Sequence, residues 1–361
     1  MIDPDRPSAV ADLAVADLGV GGPTSAPQPA ATRRPWTAAT VVAAFLTAGV
    51  GAVLLARWLT GTPYSPSPFG LPDAGAFTIT ALPVVGFGQE IAGIAVVGLL
   101  VVRLLLSLRP AADDALADRL GAATARWAWA WVGCAALATV LTLSDLAGAP
   151  LTELLSHRDV VVLLFGTDRV LSVTATLWLA AVLLSFGRRF TGRVGTAVLL
   201  VVAAGALLPE ALTGHVAHHN QNIVLATGAL AVHVVAASVW IGGLLAIIVH
   251  LRRSPAGLAL VLPWFSAVAL GCVLAVGLTG VVASMVMLDD WTALFTTDRG
   301  ALTLAKTALL IGLVGIGWWH RRRTVGAAVD GRLAPLLRLG AVELGLMAAT
   351  VGLAVVLSGA A

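Results

Sequence analysis

Hydrophobic positions along this chain come in long unbroken runs rather than in alternating or one-faced patterns. Nine stretches are apolar over roughly the 20 residues a helix needs to cross a hydrocarbon core: 37–59, 77–108, 124–146, 169–187, 194–213, 222–250, 261–287, 301–320 and 336–358. Polar residues collect in the short connections between them. This pattern predicts an all-α, polytopic transmembrane bundle of about nine helices. The second and sixth runs are long enough to tilt or project beyond the bilayer, and Pro83 marks an irregular start to the second. Residues 1–35, rich in Ala, Pro and Asp without helical period, read as a disordered cytoplasmic tail. Residues 36–190 form an N-terminal set of spans and 191–361 a C-terminal set, with the run from Trp36 serving as a signal anchor.

Composition rules out a water-soluble alternative. The chain is 58% hydrophobic and 11% charged, against about 25% charged in soluble domains, so the lipid bilayer is its solvent. The positive charge is mostly arginine in inter-helix segments. Arg33, Arg34, Arg109, Arg119, Arg126, Arg188, Arg189, Arg193, Arg252, Arg253, Arg321, Arg322, Arg323 and Arg332 fall on one side of a nine-span topology, against Arg158, Arg169 and Arg299 on the other, with Arg57 near a helix end. The positive-inside rule then gives N-in and C-out at a bacterial cytoplasmic membrane. The same placement argues against nucleic acid as a partner. No Walker loop, dinucleotide fingerprint or HExxH is present, which excludes ATP-driven transport by this chain alone and leaves no enzyme to predict. Cys134 and Cys272 lie inside apolar runs, have no CxxC spacing and read as small packing residues, with a thiolate ligand for a soft metal as the alternative.

Candidate chemistry gathers on the outward side. Glu210 is followed by His215, His218 and His219; three of the chain's seven histidines thus lie within five residues of the loop between the fifth and sixth spans. Imidazole with carboxylate suits a transition metal. His233 lies deep in the sixth span, where an ionisable residue is a functional candidate by default; Trp240 follows seven residues later on the same face, then Gly242 and Gly243. Met285 and Met287 close the seventh span with soft thioethers of the kind that select Cu(I). Glu90, Lys306 and Glu343 are charges inside spans and should face the bundle interior, as a polar network or a relay. Glu90 and Glu343 fall at depths compatible with His233, whereas Lys306 snorkels outward.

These residues resemble the CopD-type copper resistance membrane proteins. The resemblance is carried by LTGHVAHHNQNIVLATGALAVHVVAASVWIGGLLAIIVHLRR (212–253), PWFSAVAL (263–270), GLTGVVASMVML (277–288), LTLAKTALLIGLVGIGWWHRRR (302–323) and RLGAVELGLMAATVGLAVVLS (338–358). The earlier spans are similar to an actinobacterial form, as in the N-terminal half of CopD/CtaG fusion proteins. The resemblance implies copper (Cu+ or Cu2+) import or delivery, with His215, His233, Trp240, Lys306 and Glu343 at matching positions. A periplasmic copper chaperone or an oxidase assembly factor would be the protein partner. Two alternatives are a haem-binding electron-transfer or cupric-reductase protein, for which a span would have to supply axial histidines, and an accessory subunit of a respiratory oxidase.

Overall fold

A computed structural model describes residues 37–59, 73–108, 114–187, 189–190, 192–212, 223–287, 292–296, 300, 304, 307–317 and 334–359. The described residues are helical and contain no strand. In chain order the helices are α1 (Ala38–Leu59), α2 (Gly75–Ser107), α3 (Asp114–Ala147), α4 (Arg158–Leu164), α5 (Asp168–Phe186), α6 (Gly192–Ala206), α7 (Leu208–Leu212), α8 (Ile223–Ala246), α9 (Pro255–Met287), α10 (Ala293–Thr296), α11 (Thr307–Gly317) and α12 (Ala334–Gly359). Eight of these runs are long and apolar enough to cross a membrane, and α11 is the described part of the remaining expected span.

Helix ends differ from the hydropathy reading where local chemistry intervenes. α2 begins at Gly75, before Pro83, which sits inside the helix. The start is set by a turn in which the Gly75 amide donates to Asp73 Oδ1 at 2.8 Å, with Gly75 at φ +79°, a conformation that favours glycine. α3 starts ten residues before its apolar run, because Leu116, Leu120 and Ala123 bury one face of an otherwise charged first segment. α6 stops at Ala206 and resumes as α7. Pro209 has no amide hydrogen to give the carbonyl four residues back, and the helix is interrupted at Leu207, whereas Pro83 and Pro263 are accommodated inside α2 and α9. α8 ends in a π-helical turn, Ile247–Leu251.

α2 is the central post. Its side chains enter all three buried apolar clusters: one shared with α1, α8, α11 and α12, one with α3, α5 and α6, and one with α3, α8 and α9. Lipid offers no hydrophobic drive for helices to associate, so close van der Waals fit holds them. The tightest fit is where α2 crosses α8: a Cβ built on Gly98 would overlap the backbone of Gly242, and one built on Gly242 would overlap the Ile94 carbonyl. Several hydroxyls in the bundle satisfy themselves locally. Thr124, Thr139, Ser238 and Thr350 each donate to the carbonyl four residues earlier. Large apolar side chains such as Trp178, Leu278 and Ile311 point outward, as a lipid-facing surface requires.

Candidate functional site

His233 lies ten residues into α8, about 15 Å from its Ile223 end. Its ring is turned to α9, where Nδ1 lies 3.0 Å from Thr279 Oγ1. The Thr279 hydroxyl has one proton and directs it to the Ala275 carbonyl at 2.6 Å, so it accepts from Nδ1–H. In a neutral imidazole this arrangement assigns the hydrogen to Nδ1. Gly280 beside Thr279 lies against the ring, its Cβ position 4.0 Å from Cε1, an ordinary contact distance. The embedded imidazole therefore packs on a neighbouring helix.

A second polar centre joins α2 to α7. Gln89 Nε2 donates to Glu210 Oε1, and Glu90 is within Coulombic reach of Glu210. Counting from the helix ends beside the arginine-rich loops explains the meeting. Glu90 is 17 residues from Ser107 in α2 and Glu210 is 18 from Gly192 at the start of α6, about 26 and 27 Å respectively. The Pro209 break turns the last helical turn, α7, which carries Glu210. Arg169 of α5 is a Coulombic neighbour of Glu210 and shares its charge with Asp145 of α3, 3.5 Å away. Beneath Asp145, Thr78 donates to Ser144 Oγ at 3.0 Å and Ser144 donates to the Ala149 carbonyl at 2.6 Å, tying α2 to the end of α3.

The Gly98–Gly242 crossing relates the two centres. α2 and α8 run in the same direction. Glu90 lies eight residues before Gly98 and His233 nine before Gly242, which puts both about 12–14 Å from the crossing. The depths agree as expected from the sequence, but the faces do not. Nine residues at about 100° each is two and a half turns, so His233 points away from the α2 side of α8. The imidazole addresses α9, while Gln89 addresses α7 and Glu90 is within Coulombic reach of Glu210.

The other candidates are placed as follows. Glu343 is buried in α12, with Oε1 3.5 Å from where a Cβ on Gly317 of α11 would stand. Trp240 is buried in the cluster shared by α1, α2 and α12. Met285 and Met287 belong to the last turn of α9. His215, His218, His219 and Lys306 lie outside the described residues. Among the described residues, no three His, Cys, Asp or Glu side chains converge on one point that could hold an ion. Cys134 packs beside Gly88, and Cys272 lines the α1–α2–α8–α12 cluster. Two participants escaped the sequence reading: Thr279, an ordinary hydroxyl by its sequence, and the pairing of Gln89 with Glu210, whose signal was the proline next to an acid at a matching helical count.

Residues 259–357, from α9 through α12, match the family model CopD, Copper resistance protein D. The copper-resistance resemblance drawn from 212–358 is thus supported over its C-terminal part, which contains Thr279, Lys306 and Glu343. No curated protein and no solved structure matches the chain.

Proposed function

We propose that this chain takes copper from the extracytoplasmic side of a bacterial cytoplasmic membrane and imports it or hands it on without ATP. His215, His218 and His219 with Glu210 make the capture point, Met285 and Met287 hold the reduced ion, and His233 is the ligand within the membrane. The observation that supports this reading best is the α8–α9 pairing. His233 sits within a span and donates from Nδ1 to a threonine whose own proton goes to the Ala275 carbonyl. An outer-shell partner of this kind orients a ligating histidine and raises its basicity. The match to the copper-resistance family over residues 259–357 supports copper as the ion.

The test is copper titration of the purified full-length protein in lipid nanodiscs, with Cu+ held by a competing chelator and Cu2+ measured separately. Wild type is expected to bind, His233→Ala to lose the membrane-embedded equivalent, and the His215/His218/His219 triple alanine variant to lose the outer one. Equal stoichiometry and affinity in all three proteins would remove the reading.

A further inference from the structure

We propose that Gln89, Glu90 and Glu210 form an oxygen-donor site for a divalent cation, separate from the imidazole of His233. Two carboxylates from different helices are brought within Coulombic reach of one another inside the bundle, an arrangement that a cation between them would stabilise. An independent observation comes from Gln89. Its side chain is 2% exposed, and its amide is anchored at the site by Nε2 donating to Glu210. The Oε1 of the same amide is fully buried and has no hydrogen-bond partner among the described residues. A buried carbonyl oxygen without a donor is rare in folded proteins and calls for an explanation such as an ion. Oε1 belongs to the amide whose Nε2 meets the Glu210 carboxylate, which puts it within one amide width of that acid.

The donor set determines which ion fits. Two carboxylates and an amide carbonyl are hard ligands, suited to a divalent cation and poor for Cu+, which prefers sulfur. Among first-row divalent ions a site of given N and O donors favours Cu2+. The site therefore deepens the copper reading, on which it rests only for the name of the physiological ion: it discriminates oxidation state, accepting Cu2+ at a level where His233 serves a different face. Arg169, near Glu210 and shared with Asp145, limits the affinity and keeps the site exchangeable.

The experiment uses the full-length protein in nanodiscs with Cu2+ and, separately, Mn2+ as a purely hard probe, read by electron paramagnetic resonance. The His215/His218/His219/His233 alanine background removes the imidazole sites. In that background one Cu2+ equivalent is expected to remain, with no nitrogen hyperfine structure, and Mn2+ should compete for it. Glu90→Gln and Gln89→Leu should each weaken it at least about tenfold, whereas Gln89→Glu, which adds a third carboxylate, should tighten it by a similar factor. Gln89→Glu keeps the test decisive even where Glu90→Gln fails to fold. Loss of all Cu2+ in the imidazole-free background, with wild type still binding, would overturn the oxygen site and leave the copper reading intact. Oxygen-only binding that none of the three variants changes would overturn it as well. An oxygen-site signal in wild type whose total copper binding is unaffected by the histidine variants would sustain the oxygen site and remove the capture reading.

Discussion

Gly98→Ala should be among the most damaging single-methyl changes in the bundle. The added carbon meets the backbone of Gly242, both its carbonyl and its Cα, so no rotamer change can make room. α2 and α8 would have to separate until carbon–carbon contacts return to their usual spacing. A gap of about 0.5–1 Å already forfeits a quarter to a half of each contact's roughly 0.1–0.2 kcal/mol, and overpacking of a fitted core costs about 1–3 kcal/mol, sometimes more. The backbone nature of the clash places this change at the upper end, near 3 kcal/mol. The gain from alanine's better helix propensity, about 1 kcal/mol, offsets only part of it. Gly121 in α3 is the internal control: a Cβ there meets nothing within 4 Å, so Gly121→Ala should be neutral or stabilising. The assay is reversible unfolding in mixed micelles of rising denaturing-detergent fraction, followed by tryptophan fluorescence. If Gly98→Ala unfolds at the same midpoint as Gly121→Ala, the two glycines do not set the α2–α8 contact, and the shared depth of Glu90 and His233 deduced from it falls too.

Thr279→Val keeps shape but removes the acceptor of the Nδ1–H bond; copper affinity at His233 should fall about 10–100-fold, measured by chelator competition, with the outer equivalent unchanged. Ser144→Ala leaves the Ala149 carbonyl and the Thr78 hydroxyl without their common partner, and since Ser144 and Thr78 are both buried the loss should be about 1–3 kcal/mol in the same unfolding assay. Asp145→Asn tests the opposite case. The Arg169–Asp145 pair is open to solvent on both sides, so stability should drop by less than about 1 kcal/mol and the difference should shrink with added salt.

The spans were legible because the bilayer imposes a length and forbids exposed backbone, a constraint that acts on each segment separately. Departures occurred where a residue answers to something other than hydrocarbon. The first ten residues of α3 carry too much charge for a hydropathy window, yet they bury Leu116 and Leu120. The fifth span is interrupted at Leu207, just before Pro209, because proline weakens the hydrogen-bond ladder, to which hydropathy is blind. The candidate ligands were legible as types: Glu90, Glu210, His233 and Glu343 each stand out as a costly residue in an apolar setting. Their partners were not. Thr279 makes the same bond to a carbonyl four residues earlier as other hydroxyls in the bundle, and only the α8–α9 packing shows that its oxygen also accepts from an imidazole.

Depth along a helix can be counted from sequence, whereas the direction a side chain takes depends on a phase that one fixed contact must supply. The Gly98–Gly242 crossing is that contact here. It makes His233 and Glu90 near equals in depth, while His233 turns to α9 and Gln89, beside Glu90, turns to α7. Nitrogen and oxygen donors are thereby segregated across one layer of the membrane. A cation moving between them would change ligand chemistry without changing depth, so a preference for one oxidation state on each face would follow from the donors themselves, before any motion of the helices is invoked.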